Sequence, residues 1–304
     1  MATNTKTPGD PGADRLAGAS PLQRDLARRI LEKMRDEGWT VGTRVSEQDL
    51  ARAFGVSRSP IRAALDLLAA QGIVAALEKR GLGLARDVAS LDIGALVPSS
   101  PQETLYETMM RDRATGQIPQ EISEAELMPR YGVSRGVIRK LLMRFAAEGL
   151  AQRMAGHGWR FVDSLDDDEA YRESYEFRLI VECAALRSPR FVVDREKIEP
   201  IRRAHQRILA DDRVAVSGEE WFRVNAAFHE TLAMCSRNRF LLQTVRHQNS
   251  LRRMREHSVF SELPRERIEQ SCREHLAIID ALEAEDFDWA ESLLRHHLRL
   301  AADF

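Results

Sequence analysis

From Asp166 to Phe304 the apolar residues return at intervals near 3.6, and no stretch alternates with polar residues convincingly enough to make a strand. That period predicts an all-helical domain over 166–304 of about six helices. Breaks are expected at Ser188-Pro189, Asp211 to Gly218, Ser236 to Asn238, Ser258 to Pro264 and Glu285-Asp286. Residues 1–20 carry Thr, Pro, Gly, Asp and Ala with almost no large apolar side chain, too little to offset the entropy of ordering. They are expected to be a disordered tail. Between tail and helical domain lie two segments of mixed pattern, 21–86 and 104–163. A linker over 87–103, marked by Pro98-Ser99-Ser100-Pro101, is expected to join them.

The two mixed segments repeat one another. Ser46-Glu47, Leu50, Gly55-Val56-Ser57-Arg58, Ile61-Arg62, Leu65, Gly72 and Gly81 recur at the same spacing as Ser123-Glu124, Leu127, Gly132-Val133-Ser134-Arg135, Ile138-Arg139, Leu142, Gly149 and Gly158. Two copies of one small supersecondary unit are implied. Ser46 with Asp49, and Ser123 with Glu126, have the spacing of a capping box. Gly55 and Gly132 suit the left-handed residue that stops a helix. Ser57 and Ser134 are placed to cap the helix that follows, and Pro60 falls in its first turn, where a missing amide costs little. Each copy therefore reads as helix, tight turn, helix. Ile73 to Ala85 and Leu150 to Phe161 fit short two-stranded wings.

Arg58 and Arg62 lie one turn apart on the second helix of the first copy, as do Arg135 and Arg139 on that of the second. A guanidinium chelates the O6 and N7 edge of guanine or clamps a phosphate, and this spacing lets one helix do both. The wing tips, Lys79-Arg80-Gly81 and His157-Gly158-Trp159-Arg160, are placed to approach the DNA backbone or minor groove. An arbitrary arginine pair at this spacing is usually a solvated face; the capped frame, the wing and the repetition argue otherwise here.

Composition narrows the class. The chain has 304 residues, 43% hydrophobic and 30% charged, with a net charge of -2, and fits a soluble protein of two or three domains. No apolar run approaches the roughly 20 residues of a membrane span, and the amino terminus lacks a signal-peptide pattern. Cys183, Cys235 and Cys272 have neither C-x-x-C spacing nor an even count, which suits a reducing compartment and burial as small apolar residues. A cytoplasmic, nucleoid-associated protein is expected.

Leu50-Ala51, Phe54-Gly55-Val56-Ser57-Arg58-Ser59-Pro60-Ile61-Arg62, Leu65, Leu68, Gly72-Ile73-Val74 and Arg80-Gly81 resemble the winged-helix signature of GntR-type bacterial transcription regulators. The resemblance implies operator contacts by Arg44, Ser57, Arg58, Arg62 and the Lys79, Arg80, Gly81 wing. Ala63 replaces the family's usual glutamate. The second copy keeps Ser134, Arg135 and Arg139 as DNA-binding candidates, with Met128 for the usual alanine and Val137 for proline. Tandem copies are unusual for the family. The helical remainder is similar to the FCD effector-binding domain of the FadR branch at Arg178 to Glu182, Asn225 to His229, Glu274-His275 and His297-Leu298. That resemblance implies a divalent metal held by Asn225, His229, His275 and His297.

Spacing leads to the same four residues. Asn225 and His229 share a helix face, and His275 and His297 stand equally far on either side of Asp286, so an antiparallel hairpin brings them level. His296 is the rival ligand; symmetry about the turn and the following Leu298 favour His297. Zinc, nickel or manganese suits three imidazoles and one oxygen. Because Asn225 is neutral where the resembled site has aspartate, the metal keeps more positive charge, which lowers bare affinity and favours a carboxylate effector. Arg178 is the candidate second clamp for that effector. Arg178 with Glu182 also has the spacing of an intrahelical ion pair worth about a few tenths of a kcal/mol.

Together these features predict a mainly α protein: two winged helix-turn-helix domains, then the helical bundle. The expected activity is that of a ligand-responsive DNA-binding regulator, a homodimer on a palindromic operator, with no membrane partner and no enzymatic activity. The alternative is a metal-dependent hydrolase using the three histidines, disfavoured because no H-E-x-x-H motif and no clearly placed general base appear.

Overall fold

Ser20 caps helix α1 (Pro21–Asp36) and Gln23 returns the bond to its backbone, so the helix starts with two amides satisfied and Pro21 where no amide is needed. The computed structural model describes residues 18–303 except 79–80, 90, 157, 164, 166, 211–215 and 260–262. After α1 come β1 (Arg44–Val45), α2 (Glu47–Phe54), α3 (Arg58–Ala70), β2 (Val74–Ala76) and β3 (Leu82–Leu84). Ser46 accepts the Asp49 amide, and Gly55, at φ 66°, closes α2 in the left-handed region so that α3 starts within three residues. Leu26, Ile30, Ile61, Leu65 and Leu68 fill the core these helices share.

The second repeat has the same element order: α5 (Pro101–Ala114), β4 (Glu121–Ile122), α6 (Glu124–Tyr131), α7 (Arg135–Ala147), β5 (Ala151–Arg153) and β6 (Trp159–Phe161). Ser123 and Glu126 complete a capping box, and Gly132 at φ 64° ends α6. Tyr106, Phe145 and Phe161 pack at its centre, the first pair tilted and the second edge-to-face, with ring centroids 4.5 and 5.3 Å apart.

Several expectations need correcting. Both wings are three-stranded, not two-stranded, in the orders β1-β3-β2 and β4-β6-β5. The added strands pair Arg44 with Gly83 and Glu121 with Arg160. Ser57 and Ser134 stand at the N-cap of their helices but make no side-chain capping bond, leaving both hydroxyls on the exposed surface. Trp159 is buried in the core and does not reach the tip. The segment read as a linker carries α4 (Ile93–Leu96) and buries Val88, Ile93 and Val97 in the first core; Arg28 fastens it through the Val97 carbonyl and Ser99.

The remaining helices are α8 (Asp168–Leu186), α9 (Arg195–Ala210), α10 (Gly218–Cys235), α11 (Arg239–Val259), α12 (Arg265–Glu283) and α13 (Phe287–Ala302). The three cysteines are buried and free. Among the described residues no helix is long and apolar enough to cross a membrane.

The described residues up to Thr104 form one compact unit and those from Leu105 onward form another, so the second repeat and the helical bundle make one body. Helix α11 explains the join. Val245, Asn249 and Arg252 on one face are buried, and Asn249 donates to the Ala226 carbonyl and to Glu230 on α10. Leu251 and Met254, each two residues further on and so about 200° around the helix, belong to the core of the second repeat. Gly149 lies so close to α11 that a Cβ there would meet His247 Nδ1 at 2.9 Å.

Candidate DNA-reading arginines and a three-histidine centre

Arg58 and Arg62 project from the exposed side of α3, and both reach back to Glu47 at the start of α2, at 3.3 and 2.9 Å. The Arg62 hydrogen bond, reinforced by Arg58, holds the Glu47 carboxyl below its ordinary range. Exposed ion pairs of this kind are weak, so Glu47 aims the two guanidinium groups without locking them away. The second repeat reproduces the device: Arg135 and Arg139 reach Glu124 at 3.8 and 2.9 Å. The wings differ. Arg44 lies beside Gly81, its Nε 3.8 Å from where a Cβ would stand, whereas Glu121 takes its place in the second sheet and pairs with Arg160. Lys79, Arg80 and His157 lie outside the described residues.

The antiparallel hairpin of α12 and α13 forms about the expected turn, with Asp286 accepting the Trp289 amide to start α13. It brings His275 and His297 together, and α10 adds His229; their ligand nitrogens all lie within 4.8 Å of one another. All three rings are buried.

Hydrogen bonds fix which nitrogen of each ring is bare. His229 Nδ1 is 2.6 Å from Glu182 Oε2, and His297 Nδ1 is 2.6 Å from Glu274 Oε2, so each donates from Nδ1 and leaves Nε2 as a lone pair. His205, buried on α9, donates from Nδ1 to the Ile201 carbonyl at 2.8 Å. Its bare Nε2 faces His275 Nδ1 at 2.8 Å, which puts the His275 proton on Nδ1 and bares its Nε2 as well. Three lone pairs therefore converge. The Nε2 atoms of His275 and His297 face each other at 3.1 Å with no proton between them, a repulsion that a cation relieves. Two nitrogens on a tetrahedral zinc stand about 3.3 Å apart, so the spacing suits such an ion.

Electrostatics keep these rings neutral. Burial lowers the His229 pKa to about 3 against the pull of Glu182, and burial lowers that of His205 to about 4. Burial also depresses His275 far below its ordinary value, and lowers His297 despite Glu274. Glu182 shows the opposite balance: burial opposes its charge, but Arg178 and then His229 hold the carboxyl well below the usual range. Arg178 Nε bonds Glu182 Oε1 at 2.6 Å, with both side chains almost wholly buried, so the pair is far from the surface contact its spacing suggested.

The donor set fits a divalent metal. His229 Nε2 and Asn225 Oδ1 are buried without a hydrogen-bond partner, as are both terminal nitrogens of Arg178. Buried polar atoms are rarely left so, and here they accompany the three converging imidazoles. Phe228 stacks on the His275 ring at 3.8 Å and fixes its plane. His296 is exposed, whereas His297 is buried and belongs to the histidine cluster.

Sequence reasoning missed His205, and missed Glu182 and Glu274 as the groups that orient histidines. Ile198, Ile201, His205 and Ile208 share one stripe of α9, so the available signal was a lone histidine in an apolar row.

Comparison with known proteins agrees with this division of labour. Residues 22–84 match the family of bacterial regulatory proteins named gntR, and residues 173–300 match the FCD domain. The HTH-type transcriptional regulator BphR of Paraburkholderia xenovorans (strain LB400) is 28% identical over 208 residues, 64% of this chain and 81% of that protein. The HTH-type transcriptional repressor RspR of Escherichia coli (strain K12) is 25% identical over 209 residues, 67% and 89% of the two chains. Among solved structures, Lar, which controls expression of the Listeria monocytogenes agr system, shares the fold with a TM-score of 0.55 at 18% identity, over 67% of this chain and 95% of that one. The chain belongs to the GntR family of transcription regulators, a DNA-binding head at 22–84 accompanied by an FCD domain, and it is a regulator and not an enzyme.

Proposed function

We propose that the protein is a ligand-responsive operator-binding regulator whose sensor is the three-histidine centre. His229, His275, His297 and Asn225 would hold zinc, nickel or manganese, and the metal would offer a Lewis-acid attachment point for a carboxylate. The observation that carries this reading is the convergence of three bare Nε2 atoms beside the unsatisfied fork of Arg178. A planar carboxylate satisfies both Arg178 terminal nitrogens at once. With asparagine as fourth ligand, the bound metal keeps about two positive charges, so metal and organic acid should each raise the other's affinity.

The DNA-reading residues in this reading are Arg44, Ser57, Arg58, Arg62 and the Lys79 to Gly81 wing. Ser134, Arg135 and Arg139 serve the second repeat, which we read as a second winged helix on the strength of the repeated Glu124 clamp and the matching three-stranded sheet. A homodimer on a two-fold symmetric operator follows from the small footprint of one head, and in this reading it works in the cytoplasm.

Two measurements on the full chain test the reading. Calorimetry of sugar acids, dicarboxylates and amino acids against metal-loaded and metal-stripped protein should find a carboxylate whose affinity rises with metal, and Arg178→Met should abolish it. Equal affinity in both forms would refute the sensor. Selection from random duplex DNA should yield a preferred site, which Arg58→Ala or Arg62→Ala weakens by about 1–3 kcal/mol.

A further inference from the structure

Helix α8 is buried on one side only. Ser174, Tyr175, Arg178, Glu182, Cys183 and Leu186 face the bundle. On the other side Glu173, Phe177, Ile180, Ala184 and Arg187 are all exposed, Phe177 by 42% and Ile180 by 70%. Their spacing alternates four and three, which keeps them in one stripe along the helix, the repeat by which helices pack side by side. An apolar centre with an acid at one end and a base at the other is unusual for a face meant for water.

The stripe is complementary to itself when reversed. Ile180 is its midpoint. An antiparallel copy related by a two-fold axis through Ile180 sets the ring of Phe177 over the small Ala184 and Glu173 against Arg187. A parallel copy would oppose Phe177 to Phe177 and like charges at both ends. The antiparallel arrangement also opposes the helix dipoles. Asp288 and Glu291 on α13 hold Arg187 in place, so its position is set before any partner arrives.

We propose that this face of α8 is the surface through which a second copy of the chain binds, in an isologous contact centred on Ile180. The proposal rests on reading the regulator as a two-fold dimer and assigns that dimer its contact. The contact places Arg178 and Glu182, which orient the histidine centre, on the same helix that the partner grips.

The experiment uses the full-length chain. Residue 180 lies on the proposed axis, so in Ile180→Cys the two introduced thiols should meet and form a reductant-sensitive covalent dimer under mild oxidation. The native thiols are buried and serve as background in the parent protein. In sedimentation, Ile180→Glu should raise the dimer dissociation constant at least about 30-fold, the size of a central contact residue. Glu173→Arg should weaken the dimer, and combining it with Arg187→Glu should restore part of the loss. If the parent chain stays monomeric at every concentration, the dimer reading itself falls. If it dimerises, yet Ile180→Glu dimerises equally and Ile180→Cys does not cross-link, the dimer stands and this contact is overturned.

Discussion

Acid should unfold the histidine centre in a range where carboxylates still hold their charge. In metal-stripped protein His205 and His229 stay neutral until about pH 4 and about pH 3, because burial opposes their charged forms. In the unfolded chain each ring takes up its proton near 6.5. A folded pKa below the unfolded one means that stability is fully present above pH 6.5 and drains away as pH falls towards the folded values. Each ring costs about 1.4 kcal/mol per pH unit across that window. From pH 7 to pH 5 the two together remove about 4 kcal/mol, a large share of the roughly 5–15 kcal/mol that holds a typical protein. His275 and His297, also held low, act in the same direction. Glu182 and Glu274 join only at lower pH, since their unfolded values lie near 4.5. Native-state hydrogen exchange at α10 and α12, in chelator at pH 7, 6 and 5, measures the loss. His205→Phe should reduce the slope by about 1.4 kcal/mol per pH unit. Protection at α10 that is unchanged or stronger at pH 5 would show that the rings are not buried neutral bases, and the lone-pair argument would fail with them.

Two other substitutions probe the same network. Glu182→Gln leaves the Arg178 charge buried without its counter-ion and should destabilise the protein by about 3–5 kcal/mol, whereas replacing both residues with apolar ones of similar volume should cost less than the single change; urea midpoints decide the order. Asn225→Asp adds a negative donor beside the imidazoles, so chelator competition should show tighter metal binding together with weaker coupling to a carboxylate; unaltered metal affinity would remove residue 225 from the ligand set.

Much of this was legible because it is local. Capping residues Ser46 and Ser123 and stop glycines Gly55 and Gly132 write the helix-turn-helix directly into the chain. The equal distances of His275 and His297 from Asp286 put them level on an antiparallel hairpin. What escaped was non-local or too short to have a period. A two-residue strand such as Arg44–Val45 has no alternation to detect, so the third strand of each wing went unseen. The burial of Val88, Ile93 and Val97 depends on a partner, α1, that their own segment does not announce. Ser57 and Ser134 occupy capping positions without making the bond, because position in sequence fixes where a hydroxyl starts and not where it points. His205 matters through a ring on another helix, which no spacing within α9 reveals.

The two buried faces of α11 bear on how this chain can be taken apart. Removing residues 105–163 would not trim an appendage; it would lay Leu251 and Met254 open to water and release the packing against His247. A grafted head from another regulator would inherit the same debt unless it carried its own match for those side chains. Shortening or domain-swapping at the second repeat is therefore a change to the interior of the helical bundle, whatever it does to DNA.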